Sequence, residues 1–237
     1  MNPTLVLTFW RQRLMSPIRM AFLFFIVTFP LLVTLAVPQT GFAAAGNVTG
    51  IALVFAIGLI GQDFSSGVLQ LLFARPVRRW EYVTSRWLGA GSLAALVGIA
   101  QAVLIALLMT VRGAAPGAAE TLAFAGERVL GAFGLAAVFV LLSSLVAGVG
   151  DVALWIAGQG ILAISALVAQ AKGWMAAGRV LGELQAALNP SVPITQIANG
   201  LAPWAPTSAY LSAIAICLTL AVMLVNRREL SYASSNG

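Results

Sequence analysis

Long apolar runs, separated by short polar stretches, dominate this sequence. A helix needs about 20 mostly apolar residues to cross a bilayer, and six runs approach or exceed that length. They predict transmembrane helices over residues 20–37, 48–62, 87–111, 129–149, 152–171 and 207–226. The predicted fold class is an all-α integral membrane protein with six transmembrane helices, organised as a single membrane domain over residues 1–237.

Two of the remaining stretches have helical patterns of their own. In residues 1–19, apolar side chains alternate with Arg11, Gln12 and Arg13, which predicts an amphipathic helix at the membrane interface, bent at Pro17. Residues 172–206 carry leucines at helical spacing and are broken by four prolines. They predict one or two short helices on the outer side of the membrane.

Composition narrows the classes of function. Hydrophobic residues make up 60% of the chain and charged residues only 8%, whereas soluble domains carry about 25% charged residues. The sequence has no histidine, which excludes Ser-His and Cys-His catalysis and histidine ligation of zinc or haem. The single cysteine, Cys217, cannot form an internal disulfide. No pair of carboxylates stands on facing spans, so a membrane enzyme is disfavoured.

The basic residues follow the topology of the predicted spans. With the N-terminus in the cytoplasm, nine arginines fall in cytoplasmic segments and four basic residues fall outside. The positive-inside rule then places both termini and the loop over residues 62–88 in the cytoplasm. Because the basic residues cluster at span ends, the net charge of +6 does not indicate nucleic-acid binding. Asp151, in the short turn before the fifth span, is expected to cap that helix, with contact to a cytoplasmic partner as the alternative.

The loop after the second span has its own physical organisation. Asp63 ends the span, where an acid so close to hydrocarbon needs solvent or a partner. Pro76 disfavours helical geometry at Arg75, so a short helix that begins near Ser65 is expected to stop near Ala74. Glu81 then stands in the first turn of the next helix, where the helix dipole favours an acid.

A resemblance sharpens this interpretation. The loop contains the motif Asp63-x-x-x-Gly67-Val68-Leu69-x-Leu71-Leu72, then Arg75-Pro76-Val77-Arg78-Arg79, Tyr82-Val83 and Arg86. This motif resembles the first cytoplasmic loop of type-2 ABC (ATP-binding cassette) transporter permeases, and the six-span layout extends the resemblance over the whole chain. The departures are Asp63 where glutamate is usual, Arg78 where serine or threonine is common, and Arg86 where lysine is common.

The resemblance implies a mechanism and partners. Residues 67–74 would form a coupling helix, within a coupling loop over residues 63–86, that docks on a cytoplasmic ATPase subunit. ATP and Mg would bind to that subunit, and a second permease, identical or different, would complete the transporter within the lipid membrane. A substrate would then be moved across the cell membrane, in the direction of export. The implied docking residues are Asp63, Gly67, Leu69, Leu72, Phe73, Arg75, Pro76, Arg78, Arg79 and Glu81, with Asp151 as a secondary cytoplasmic contact.

Other sequence features indicate which functions the chain could perform without a partner protein. It contains no G-x-x-x-x-G-K-[ST] loop, and its only lysine is Lys172, so no phosphate-binding loop of its own is expected and no cofactor is predicted on this chain. An ion-coupled secondary transporter normally needs ionisable groups inside the bundle, and the seven acidic residues are expected at span ends or in loops. A membrane scaffold that does not transport remains an alternative.

Overall fold

The computed structural model describes residues 3–66, 78–146, 148–198, 200 and 202–234, with side chains described as far as residue 227. The chain is 85% helical, and no strand occurs in the described ranges. The helices in these ranges are α1 Pro3–Leu14, α2 Pro17–Ala36, α3 Gly41–Ala45, α4 Thr49–Ala56, α5 Gly61–Ser65, α6 Arg79–Val111, α7 Ala118–Leu145, α8 Gly150–Ala171, α9 Met175–Leu188, α10 Ile194–Ala198 and α11 Trp204–Ser234, and a 3₁₀ turn lies at Pro38–Thr40.

Within the described ranges, six segments are long and apolar enough to cross a membrane, which confirms the predicted fold class. Their boundaries differ most from the expected ones at the second and the fourth span. The second span, Pro38–Ser65, is assembled from short helical pieces rather than one helix. The fourth begins at Ala118 instead of residue 129, so Glu127 and Arg128 lie within α7 and not before it. Both side chains have partners in neighbouring elements, which lets the helix start earlier than its hydropathy indicates.

The centre of the bundle is the antiparallel pair α6 and α7. Of the apolar window of α7, 72% is buried inside the chain, compared with 6% for α8. Small residues allow close approach of the backbones: a side chain at Gly91 would meet the ring of Phe133, and Gly134 faces the carbonyl oxygen of Pro190. α8 packs on α9, and both present large apolar side chains outwards, as a surface covered by lipid does.

The N-terminal helix packs on the beginning of α6. Phe9 is buried against Gly89, and the indole Nε1 of Trp10 donates a hydrogen bond to the Gly89 carbonyl at 3.1 Å. Leu7, Leu14 and Met15 are exposed. The helix therefore has one face held by the bundle, while its predicted position at the membrane interface remains a prediction. The described part of the stretch 172–206 contains α9 and α10, and α11 begins within it at Trp204.

The contact at Gly134 predicts that alanine substitutions at two glycines change the stability of the protein differently. An added Cβ at Gly134 would lie 2.2 Å from the Pro190 oxygen, a backbone atom that cannot rotate away. Gly134→Ala should therefore destabilise the protein by about 1–3 kcal/mol, measured by denaturant titration in detergent micelles. Gly160→Ala is the matched control, because nothing lies within 4 Å of that Cβ and alanine favours the helix by up to about 1 kcal/mol. Equal stability of the two variants would contradict this packing.

Candidate functional site

The second span leaves helical geometry just before the loop. α4 ends at Ala56, Ile57 leaves helical geometry with a ψ of 122°, and α5 begins only at Gly61. Gly58 has a φ of +64°, a left-handed conformation that glycine adopts without strain. A break of this kind frees backbone N–H and C=O groups, which must find partners because hydrocarbon offers none.

Two charged side chains satisfy the first part of the break. Arg13 of α1 donates to the carbonyl oxygens of Ile57 at 2.6 Å and of Gly58 at 3.1 Å. The Oδ2 atom of Asp151, at the start of α8, accepts the N–H of Gly58 at 2.7 Å. Both side chains are buried, at 3% and 0% exposure. The peptide groups around Gly58 are therefore held from two sides by residues distant in sequence.

Burial affects the acidity of Arg13. It lowers the pKa of the guanidinium to about 9, and repulsion from Arg19 and Arg86 acts in the same direction, against attraction to Asp63 and Asp151. Since this value lies above neutral pH, Arg13 carries its charge under physiological conditions. It is thus a cationic donor to the carbonyl groups of the break.

A serine of α7 satisfies the second part of the break. The Oγ atom of Ser143 accepts the N–H groups of Ile60 at 2.9 Å and of Gly61 at 2.8 Å. The carbonyl oxygen of Gly61 accepts the N–H of Gly148 at 2.8 Å. Three helices, α1, α7 and α8, therefore converge on the interruption.

Asp151 differs from the sequence prediction in its position. The N-cap of α8 is Val149, and Asp151 lies within the first turn, where its Oδ1 accepts the N–H of Val152 at 3.0 Å. The carboxylate does accept a hydrogen bond from the first turn of the helix, but its second oxygen reaches across to Gly58. Because the side chain is fully buried within this chain, its secondary contact with a partner stays a prediction.

The start of the loop is joined to the helix that follows it. Asp63, in α5, forms an ion pair with Arg86 and accepts a hydrogen bond from the Tyr82 hydroxyl at 2.5 Å. The guanidinium groups of Arg13 and Arg86 lie 4.9 Å and 5.3 Å from the ring centroid of Phe9. Asp63 is 7% exposed. The acid expected to need a partner at the end of the second span therefore has two.

The remaining docking candidates divide into two groups. Arg78 precedes α6 and is exposed, Arg79 donates to the Oδ1 atom of Asn226 at 3.1 Å, and Glu81 lies in the first turn of α6 as expected. The other predicted residues lie outside the described ranges, and these are Gly67, Leu69, Leu72, Phe73, Arg75 and Pro76. The structure thus brings together the two ends of the loop, and the coupling helix itself remains a prediction.

Sequence reasoning did not identify Arg13, Ser143 and Gly58 as parts of this site. The signal was present but weak: a glycine pair, Gly58 and Gly61, just before the loop, and a serine inside an apolar span. Such residues are common in membrane helices. Only the three-dimensional contacts show that the serine and the glycines belong to one structure.

The hydrogen bonds at the break predict that alanine substitutions at two adjacent serines reduce protein stability by different amounts. Ser143→Ala leaves the N–H groups of Ile60 and Gly61 without their acceptor, which costs about 1–3 kcal/mol for each buried group. Ser144 is equally buried but bonds only the Leu141 carbonyl of its own helix, at 2.6 Å, so Ser144→Ala should cost about 1 kcal/mol or less. Denaturant titration in detergent micelles measures both. Two variants of the same stability would show that the break does not depend on Ser143.

Comparison with known proteins agrees with the resemblance carried by the loop. A model of the family described as ABC-2 family transporter protein matches residues 11–225. Comparison with curated proteins and with solved structures gives no match. The family match covers nearly the whole chain, including α1 from Arg11, the broken second span and the Asp63–Arg86 pair. The chain therefore belongs to the ABC-2 family of transporter proteins.

Proposed function

We propose that this chain is the permease subunit of an ATP-driven exporter and that the loop over residues 63–86 docks on a separate cytoplasmic ATPase. Membership of the ABC-2 family implies an ABC ATPase partner in general. The observation that carries the more specific proposal is the joining of the two ends of the loop by Asp63 and Arg86. Both termini are placed in the cytoplasm, on the nine-to-four distribution of basic residues.

Joined ends make the loop a mechanical unit. The Asp63–Arg86 pair is largely buried, with side-chain exposures of 10% and 13%, and Tyr82 adds a hydrogen bond to the same carboxylate. Breaking a buried pair by removing one partner costs about 3–5 kcal/mol. A displacement of the loop therefore moves α5 and the beginning of α6 together, instead of being lost by separation of the two ends.

The displacement then has two routes into the membrane domain. One is α6, whose 33 residues extend about 50 Å at 1.5 Å per residue. The other is the break at Gly58, where Arg13, Ser143 and Asp151 connect α5 to α1, α7 and α8. Work done on the loop by the ATPase thereby reaches most of the helices that form the core.

The proposed complex needs further components. ATP and Mg bind on the ATPase, since this sequence contains no phosphate-binding loop. A second permease subunit, together with lipid, covers the apolar surfaces of α2 and α8, which are 17% and 6% buried in the single chain. If the chain were instead a scaffold, it would hold the ATPase without influencing ATP turnover.

Docking is tested by substitutions in the loop. Leu72→Asp and Phe73→Asp, made separately, should abolish co-purification of an ATP-hydrolysing subunit, because each places a charge in the proposed apolar docking face. Leu122→Asp is the matched control, since Leu122 is 74% exposed at the opposite end of the bundle. The measurement is ATP hydrolysis by the purified complex. If both loop variants retain a fully bound and active ATPase, docking occurs elsewhere.

The coupling between this chain and ATP turnover is tested by substitutions in the Asp63–Arg86 ion pair. Asp63→Asn should leave the ATPase bound but lower ATP turnover of the membrane-reconstituted complex at least about tenfold, a coupling of the usual size for linked sites. Asp63→Glu keeps the charge and is expected to retain turnover, since glutamate is usual at this position in the resembling loops. Thermal unfolding of each complex checks that the subunits remain folded. Unchanged turnover in Asp63→Asn would favour the scaffold.

A further inference from the structure

A second buried polar cluster lies near the other end of α7. Its centre is Arg128, about 22 Å from Ser143 along the helix axis at 1.5 Å per residue. Its Nη1 donates to the Oε1 atom of Gln101 at 2.7 Å. Its Nη2 donates to the carbonyl oxygens of Ala45 and Gly46 at 3.0 Å and 3.2 Å. This cluster is separate from the break and from the loop.

The charge of Arg128 is not neutralised by an acid. All three of its hydrogen-bond acceptors are neutral oxygens, and no carboxylate forms a salt bridge with it among the residues that the structure describes. Its Nε atom is buried and has no hydrogen-bond partner in that same set, while the whole side chain is 2% exposed. A buried cation without a counter-ion is costly and marks a functional site in a membrane protein.

A cavity of about 310 Å³ adjoins this cation. The N-terminus of α4 lies in its wall at Thr49, and the positive end of a helix dipole favours an anion. Glu127 also lines the cavity, but its Oε1 accepts both the N–H of Thr195 at 2.8 Å and the Thr195 hydroxyl at 2.6 Å. The wall also contains the neutral polar residues Asn47, Asn189, Ser191 and Gln196, and apolar side chains such as Phe124, Leu135 and Val192 line the rest.

The depth of Arg128 brings it near the lipid headgroups. α7 has 28 residues and extends about 42 Å, which exceeds the hydrocarbon thickness of about 30 Å. Arg128 lies about 15 Å from the beginning of that helix, and helical side chains lean towards the N-terminus. Its guanidinium is therefore directed towards the level at which phosphate groups are abundant.

We propose that this cavity binds the phosphate group of a ligand and that Arg128 supplies the attraction. The ligand is either a membrane phospholipid or a phosphate-bearing solute, which share the chemistry that the guanidinium recognises. Arg128 and the α4 N-terminus provide the positive field, while the neutral amides and hydroxyls of the wall accommodate the rest of the head group. The proposal does not depend on where the ATPase docks.

The test compares two probes on the full-length chain in a phosphate-free, uncharged detergent. Phosphatidylglycerol is titrated and its binding measured by native mass spectrometry, and inorganic phosphate is titrated and its effect on thermal unfolding measured. Arg128→Gln should weaken binding at least tenfold, because it removes the charge. Arg112→Gln is the control, since Arg112 is exposed and follows α6 at the same end of the bundle.

A second variant keeps the test decisive if Arg128→Gln does not fold. Ser191→Trp obstructs the cavity from an exposed position without touching the partners of Arg128, and it should weaken binding similarly. If the variants lose only the binding of phosphatidylglycerol, the cavity binds a lipid headgroup. If they lose the effect of inorganic phosphate on thermal unfolding, the cavity binds a phosphate-bearing solute. The proposal is overturned if the unaltered protein binds neither probe, or if the folded variants bind both as it does.

Discussion

The second span can leave helical geometry within the membrane domain only because buried side chains replace the lost backbone hydrogen bonds. Arg13, Ser143 and Asp151 together contact five peptide N–H and C=O groups between Ile57 and Gly61. In hydrocarbon, each of these groups would otherwise cost several kcal/mol. The contacts come from three different helices, so the positions of α1, α7 and α8 relative to the loop follow from this single requirement.

Charge burial is handled differently at the two ends of the bundle. Near the loop, Asp63 and Arg86 neutralise each other, and Tyr82 satisfies a remaining acceptor. Near the beginning of α7, Arg128 donates hydrogen bonds to neutral oxygens and lies over the Phe124 ring, 4.5 Å from its centroid. The first arrangement is complete within the chain and suits transmission of force, whereas the second lacks an anion and suits binding of one. This contrast is the basis for assigning the two ends to different roles.

Hydropathy predicted the six spans because each buried or lipid-facing helix must be apolar. Asp63 was predicted as a site residue, and Arg86 as part of the loop motif, because that motif resembles the motif of a known family. The early start of α7 was not predictable, since Glu127 and Arg128 look like loop residues until Thr195 and Gln101 are known to be their partners. The break was equally hidden. Gly58 and Asp151 are 93 positions apart, and no periodicity along a single chain reports a contact of that kind.

Residues 58–61 form a fixed base for the loop, in which the N–H groups of Gly58, Ile60 and Gly61 are hydrogen-bonded to buried side chains. Hydrogen–deuterium exchange of the membrane-reconstituted protein tests it directly, at the amides of Gly58, Ile60 and Gly61. These amides should exchange as slowly as those inside the adjoining α4, although they lie outside its helical hydrogen bonding. Exchange as fast as at Gly113, in the exposed turn after α6, would contradict the account.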